Sequence, residues 1–396
     1  MDKRLTNARL QLEEMLFENV MPFWAARCLD TQYGGYLTGL DRAGSVWDDR
    51  KNTWMQGRMV WMFAALAEED PARREEWLSL ARPGRDFLLR HAWAGQGRWH
   101  YILARDGAVE QGPVSVYGDL FALEGLAQYI LASGDDTGID KVQETAQALA
   151  RELTAGVGGR IAPQAPVPGA QLHGVPMIAL NSLYPAQRLL GQSELPALRA
   201  RLLHQILDDF ADPQQGVVYE VRALAGRTVP GCERINPGHI FESMVFCLEA
   251  GAQLGIPCPG AASIVRSTWA LAKDKAQGGV LYMLNADGSA PQFTDWIAPR
   301  ALQWDEKVWW THAEALPALL WAAWELQDPA CLEEFMALWD YCRAHFADPQ
   351  HGEWYYALHR DGTPRLTNKG GYQKCAFHLP RALLKSARLI RCFYGA

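Results

Sequence analysis

The chain has 396 residues, a net charge of −7 and eight cysteines without CxxC spacing. The acidic balance argues against a nucleic-acid-binding protein, and no apolar run is long enough to span a membrane. A charged amphipathic start instead of a signal peptide, together with the unpatterned cysteines, predicts a cytoplasmic protein with reduced thiols.

A short pattern recurs six times: a glycine, an apolar or aromatic pair, and a turn that often contains Asp-Gly. A period of roughly 60 residues indicates a repeat architecture. The copies begin at Gly35, Gly97, Gly159, Gly216, Gly279 and Gly352.

Each unit is predicted to hold a short β-hairpin followed by two helices, because turn residues flanked by alternating residues precede segments of helical periodicity. The clearest helix is Trp54 to Glu69, and residues 245–254 and 315–326 are similar. Six such units form either an open solenoid or a closed ring. Closure is favoured because neither terminal unit has a polar capping face. The sequence therefore predicts an all-α protein, a single (α/α)6-barrel domain over residues 1–396 with short β-hairpins at one rim.

Polar residues recur at nearly the same position in each unit, close to the start of the first helix. Equivalent positions in a closed repeat face the same way, so these residues are predicted to surround one mouth of the barrel. In chain order they are Arg58, Asp119, Asn181, His239, His312 and His378.

His239 has the most informative local context. Asn236 and Pro237 suit the N-cap and first position of a helix, which places His239 in the first turn. The positive end of the helix dipole there favours a neutral imidazole, as a general base requires. Glu242, one turn later, is predicted to orient that ring or to contact a substrate hydroxyl.

The aromatic residues suggest a carbohydrate substrate. The chain has 16 tryptophans, and Trp54 and Trp310 are among those near the predicted helix starts. Tryptophan offers a flat apolar surface to a sugar ring. With Arg58 and Asn181 as hydroxyl partners, Trp54 and Trp310 would form a sugar-binding pocket.

Several long strings resemble the N-acylglucosamine 2-epimerase family, and they are spread over nearly the whole chain. They are Trp54 to Trp61, Arg234 to His239 with Glu242, Trp309 to Ala315, Gly352-Glu353-Trp354, and Lys369-Gly370-Gly371 with Phe377 to Arg381.

The resemblance implies an (α/α)6 barrel and an isomerase that inverts C2 of a ring-opened sugar. It places Arg58, His239, Glu314 and His378 in the active site. Other branches of the family often carry a histidine in the third unit where this chain has Ile178. That difference favours the branch that interconverts N-acetylglucosamine and N-acetylmannosamine.

This chemistry explains the residue types. Inversion requires a base on each side of C2, and histidine has a pKa near neutrality. Arg58 would stabilise the cis-enediolate intermediate, and Glu314 is predicted to hold His312 or a sugar hydroxyl. The reaction is expected to need no metal or cofactor.

Two further expectations come from the family. Homodimers are usual, and some members respond to ATP as an allosteric activator. The basic, glycine-containing segment with Lys369, Gly370, Gly371 and Lys374 is a candidate phosphate contact, although it lacks P-loop spacing.

Three alternatives stay open. The first is a mannose 2-epimerase, or an aldose–ketose isomerase of the same family that converts mannose to fructose. The second is a glycosidase that pairs Asp119 with Glu242 or Glu314, which leaves the histidines without a role. The third is a non-catalytic sugar-binding or protein-interaction barrel.

Overall fold

The computed structural model describes residues 3–157, 159–161, 169–191, 194–223, 231–291 and 302–395. Within these ranges the helices are α1 (Lys3–Glu14), α2 (Met21–Arg27), α3 (Thr53–Glu69), α4 (Arg74–Phe87), α5 (Val116–Ser133), α6 (Ile139–Ala155), α7 (Gly174–Leu190), α8 (Glu194–His204), α9 (Pro237–Leu254), α10 (Ala261–Ala272), α11 (Trp309–Glu325), α12 (Pro329–His345) and α13 (His378–Tyr394). A π-helical turn at Met15–Val20 joins α1 to α2.

The strands of the described chain are short. They are β1 (Gly39–Leu40), β2 (Val46–Asp48), β3 (Lys51–Asn52), β4 (Trp93–Gly95), β5 (Arg98–Trp99), β6 (Ile102–Leu103), β7 (Val109–Gln111), β8 (Ala170–Leu172), β9 (Ala211–Asp212), β10 (Val217–Val218), β11 (Val221–Ala223), β12 (Arg234–Ile235), β13 (Leu284–Asn285), β14 (Lys307–Val308), β15 (Ala357–Leu358) and β16 (Pro364–Leu366).

The helices form the predicted (α/α)6 barrel. The inner ring runs through α3, α5, α7, α9, α11 and α13, and the outer helices α4, α6, α8, α10 and α12 each pack on the inner helix before them. Only one helix follows Gly352, and α1 packs on it. The start of the chain therefore supplies the sixth outer helix and closes the ring.

The inner helices are apolar around most of their circumference because they touch both neighbours and the outer layer. In α5, residues 116–130 are all buried. Among the helices of the described chain, none combines the length and apolar character needed to cross a bilayer.

The strands lie at the end of the barrel where the inner helices begin. β1–β2, β6–β7 and β15–β16 are the predicted type of hairpin. Other pairs join consecutive units, because a strand just before an inner helix pairs with a strand of the next unit. These pairs are β3–β6, β8–β11, β12–β13 and β14–β15, and they link the rim around the ring.

Three ion clusters with the same composition, each with a buried aspartate and a buried lysine, reinforce these links. Each contains an aspartate that follows an outer helix, a lysine that precedes an inner helix, and an arginine from the next hairpin around the ring. They are Asp30–Lys51–Arg105, Asp274–Lys307–Arg360 and Asp348–Lys369–Arg42. The third joins the sixth unit to the first, so it fastens the closure of the barrel.

We expect Asp348→Asn to destabilise the fold by about 3–5 kcal/mol, because it leaves the buried Lys369 ammonium without its carboxylate. In the wild type, Asp348 Oδ2 lies 2.7 Å from Arg42 Nε and 3.1 Å from Lys369 Nζ. Urea unfolding monitored by circular dichroism measures the change. Asp340→Asn is the control, because it removes an exposed ion pair with Arg343. An equally small change in both variants would show that the cluster does not hold the barrel closed.

Candidate active site

A cavity lies at the start of the inner helices, below the strands. Its walls come from all six units, and it faces the N-terminal ends of the inner helices, whose dipoles favour an anion. The lining residues are Trp54, Arg58, Tyr117, Phe121, Gly174, Met177, Ile178, Glu220, Asn236, His239, Glu242, Tyr282, Met283, Trp309, Trp310, Gln373 and His378.

Arg58 presents a buried guanidinium to this cavity. The guanidinium carbon lies 4.6 Å from the ring centre of Trp54, 4.3 Å from Phe121 and 4.6 Å from Phe377. Its Nε has no hydrogen-bond partner among the described residues. Burial lowers the pKa of Arg58 to about 10, so it stays cationic at neutral pH. The side chain is thus a positioned cation without a bonded carboxylate.

His378, the first residue of α13, is held by a carboxylate from the neighbouring inner helix. Its Nδ1 lies 2.7 Å from Glu314 Oε1 and 3.6 Å from Glu242 Oε1. Arg381 Nη2 donates to Glu314 Oε1 at 2.6 Å and also to Glu242. Burial lowers the pKa of His378 well below its usual value, and the nearby positive charges of Arg58 and Arg381 act in the same direction.

His239, in the first turn of α9, has a separate carboxylate partner. Asn236 Oδ1 caps the helix by accepting from Gly238 N and His239 N, as predicted. His239 Nδ1 lies 2.9 Å from Glu220 Oε2, and Glu220 precedes β11. Burial lowers the pKa of His239, but the charge and hydrogen bond of Glu220 outweigh this and raise it overall. The expectation that the helix dipole keeps this ring neutral did not include this carboxylate.

Trp310 lies beside both imidazoles. Its ring centre is 5.0 Å from that of His239 and 5.6 Å from that of His378. The two histidine rings are thus separated by no more than the sum of these distances. With Nδ1 of each ring bonded to a carboxylate, Nε2 of each ring remains for a ligand.

Two predicted site residues, Asp119 and His312, lie outside the cavity. Asp119 Oδ1 accepts from Trp99 N at 2.8 Å, and His312 Nε2 accepts from Val280 N at 2.9 Å. His312 also contacts Val308 O through Nδ1, and burial lowers its pKa to about 3. Each side chain satisfies a buried backbone N–H of the strand that follows the repeated glycine. The prediction that they contact substrate is wrong.

The position of Asp119 also bears on one of the open alternatives, and the contacts of Glu314 correct one further prediction. Because Asp119 is absent from the cavity, the carboxylate pair on which the glycosidase interpretation depended is not assembled. Glu314 holds His378 and Arg381, and not His312 as predicted.

Asn181 lies at the opposite mouth of the barrel. Its Nδ2 donates to Glu124 Oε1 at 2.8 Å, and it lines a second cavity formed by the C-terminal halves of the inner helices. It lies about one turn beyond Ile178, the last residue of α7 that lines the cavity beside His239. Asn181 is therefore not a partner of a ligand bound beside His239.

The proposed phosphate contact is not available to a ligand. Lys369 is buried in the closing ion cluster, and Lys374 Nζ donates to Glu353 Oε2 and Trp354 O, both at 2.6 Å. A Cβ atom at Gly370 would lie 2.0 Å from Thr38 O, and one at Gly371 would touch Trp47. Gly370 thus permits close packing of the rim, whereas Gly371 has room for a Cβ atom. The partners of Lys369 and Lys374 argue against the prediction that these two lysines contact the phosphates of ATP.

Sequence reasoning missed Glu220 and Arg381, the two residues that control the histidines. Arg381 stands one turn after His378, so its reach to the same carboxylates was available from helical spacing. Glu220 carried no comparable signal, because it meets His239 only through the fold of a hairpin.

A metal ion could use one group of the described residues. Ligand atoms of Glu242, Glu314 and His378 lie within 4.8 Å of one another. Arg381 already donates to both carboxylates. A cation bound there would have to displace that guanidinium.

Comparison with known proteins identifies the family. The model of the family described as N-acylglucosamine 2-epimerase (GlcNAc 2-epimerase) matches residues 34–382. The N-acylglucosamine 2-epimerase of Bos taurus is 32% identical over 385 residues, which cover 92% of this chain and 87% of that protein.

Solved structures share the fold at lower identity. The cellobiose 2-epimerase of Bacillus thermoamylovorans B4167 is 18% identical with a TM-score of 0.82, over 97% of this chain and 99% of that one. A D-mannose isomerase is 17% identical with a TM-score of 0.77, over 96% and 97% of the two chains. Since both the family model and the bovine relative span most of the sequence, this chain belongs to the N-acylglucosamine 2-epimerase family.

Proposed function

We propose that this protein is a sugar 2-epimerase that interconverts N-acetylglucosamine and N-acetylmannosamine. One observation carries the proposal: His239 and His378 line the same cavity, each with Nδ1 bonded to a glutamate and each with its ring close to Trp310. Two general bases at one cavity match a reaction that removes a proton from one face of a carbon and returns it to the other.

The reaction starts from the open-chain aldehyde. Nε2 of one histidine takes the C2 proton, and the electrons of the C–H bond form a C1–C2 double bond while the aldehyde oxygen becomes an oxyanion. Nε2 of the other histidine then protonates C2 from the opposite face, and the aldehyde reforms. One ring gains a proton and the other loses one, so atoms and charge balance.

Arg58 stabilises the anion between these steps. Because C2 of an N-acetylated sugar carries an acetamido group and no hydroxyl, this anion is an enolate and not the cis-enediolate expected from the sequence. A cation in a site of low dielectric favours an anion more strongly than it would in water. Because the aldehyde is neutral and the enolate is charged, this interaction strengthens as the proton leaves. Glu314 and Arg381 position His378, and neither lies where it would transfer the C2 proton.

The remaining walls fit an N-acetylated sugar. Trp54 and Trp310 offer ring faces to the sugar, and Glu242 offers a carboxylate oxygen to a hydroxyl. Met177 and Ile178 form an apolar surface in the third unit. An acetamide methyl buries favourably against such a surface, whereas a free hydroxyl would lose hydrogen bonds to water there.

The second candidate is an isomerase that converts mannose to fructose, because the chain shares its fold with a D-mannose isomerase. That reaction returns the proton to C1 instead of C2. We expect the protein to form N-acetylglucosamine from N-acetylmannosamine and to convert mannose much more slowly, as measured by chromatography of both products. Activity on mannose alone, with fructose as the product, would overturn the proposal.

Three finer points stay predictions: a cytoplasmic location, a homodimer, and activation by ATP at residues other than the buried lysines. The reaction as written requires no cofactor.

A further inference from the structure

The pairs His378–Glu314 and His239–Glu220 differ in whether an arginine also binds the carboxylate. Glu314 is shared between His378 and Arg381, and the same guanidinium also binds Glu242. Among the described residues, no lysine or arginine lies within ion-pair distance of Glu220, which faces only His239 and His173. The negative charge of Glu220 therefore acts on the imidazoles of His239 and His173 and is not neutralised by a lysine or arginine of the described residues.

Three segments hold Glu220 in place. Its backbone oxygen accepts from His173 N at 3.0 Å, and its backbone N–H donates to Arg234 O at 3.4 Å. His173 Nδ1 lies 3.8 Å from Glu220 Oε1, and His173 Nε2 lies 3.0 Å from Ser243 Oγ. The Glu220 side chain is only 10% exposed. A buried carboxylate held this way needs a positive partner.

We propose that Glu220 is a positioning residue that keeps His239 protonated, so that in the free enzyme His239 is the acid and His378 is the base. The catalytic meaning of this assignment rests on the proposed function. The protonation states themselves are properties of the protein without sugar.

The surrounding charges agree with the assignment. Around His239, burial and Arg58 oppose protonation, but Glu220 and Glu242 favour the imidazolium and raise the pKa overall. Around His378, burial, Arg58, Arg381 and His239 all oppose protonation, and Glu242 favours it. Since Arg381 neutralises the carboxylates beside His378, that ring is left neutral.

The assignment has a consequence for the two directions of the reaction. The free enzyme is ready for the epimer whose C2 hydrogen points at His378. After that turnover His378 carries the proton and His239 is neutral, which is the form that the other epimer requires. The resting state thus favours one direction of proton transfer until the proton is redistributed.

The test is an NMR titration of the sugar-free protein labelled with ¹⁵N-histidine, with signals assigned by His239→Asn and His378→Asn. We expect His239 to titrate at higher pH than His378. In Glu220→Gln, the midpoint of His239 should fall by about 1 to 3 pH units, as expected when an opposite charge is removed. Glu233→Gln is the matched control, because Glu233 is exposed on the segment just before β12, and it should change nothing.

Two results would overturn the proposal. One is a wild-type protein in which the titration midpoint of His378 lies at higher pH than that of His239. This comparison needs only the wild type, so it can be made even if Glu220→Gln does not fold. The other is a folded Glu220→Gln protein with an unchanged His239 midpoint. Because no sugar is present, neither result depends on the substrate, so failure of the proposed function would be seen separately in the product assay.

If the protein is active, the same variant gives a kinetic readout. In the direction that uses His239 as the acid, kcat/KM falls as pH rises through the pKa of His239. Loss of the Glu220 charge lowers that pKa, so the basic limb should move to lower pH by a similar amount. If Glu220 had only a structural role, Glu220→Gln would reduce kcat/KM at every pH and leave the pH of the basic limb unchanged.

Discussion

His378→Asn and His239→Asn should each reduce epimerisation by about 10²- to 10⁴-fold, the range for loss of one general acid or base. Either substitution leaves C2 with a proton-transfer group on one face only. Steady-state conversion of N-acetylmannosamine measures the loss. His204→Asn is the control, since His204 lies exposed on α8, outside the cavity, and it should keep full activity.

Each variant should also retain a partial reaction. The remaining histidine can still remove and return the proton on its own face, so it exchanges the C2 hydrogen of one epimer with solvent without inverting it. The two variants should therefore exchange different epimers in heavy water, as read by proton NMR. Exchange of the same epimer by both variants would show that the histidines do not lie on opposite faces of C2.

Arg58→Lys should lower kcat by about 10²- to 10³-fold with a smaller effect on KM, because the lost contacts are strongest to the enolate. Lysine keeps the charge but lacks the planar pair of donors, and its ammonium packs less well among Trp54, Phe121 and Phe377. Initial rates over a range of substrate concentrations separate the two parameters.

Arg27→Lys is the matched control, because the Arg27 guanidinium also stacks on a ring, that of Phe23, at 4.6 Å but outside the cavity. It should leave both parameters unchanged. A rise in KM with unaltered kcat in Arg58→Lys would mean that Arg58 binds the aldehyde and the enolate equally, and would show that it does not act in the chemical step.

The barrel could be predicted because each repeat begins with a glycine that the backbone conformation requires. Gly279 adopts φ 68° and packs against His312 and Tyr341, where a side chain would not fit. Such positions tolerate little but glycine. The prediction of two helices in every unit was wrong for the sixth unit, which has only α13 among the described residues. A repeat read along the chain does not show that the first helix packs against the last.

The site was predicted only in part because the direction in which a helical side chain points changes with each residue. Successive helix positions differ by about 100° around the axis, so a shift of two residues turns a side chain to the other side. Gln56 binds the strand at Tyr36, whereas Arg58 lines the cavity. Asp119 and His312 share the role of Gln56, and spacing across units of unequal length did not separate the two roles.

The contacts that set protonation could not be predicted from spacing. Glu242 and Arg381 are 139 residues apart, and Glu220 meets His239 across β11 and β12. For the buried lysines, the sequence suggested a ligand contact where the fold has a protein contact. Lys369 and Lys374 were predicted to contact phosphate, but each lies beside an acidic side chain of the protein.

The most direct measurement is the conversion of N-acetylmannosamine in heavy water with analysis of C2 by proton NMR and mass spectrometry. Transfer through two imidazoles predicts that newly formed N-acetylglucosamine carries one deuterium at C2, while unreacted N-acetylmannosamine keeps its hydrogen at early times. Active enzyme that yields product with its original C2 hydrogen throughout would contradict the mechanism.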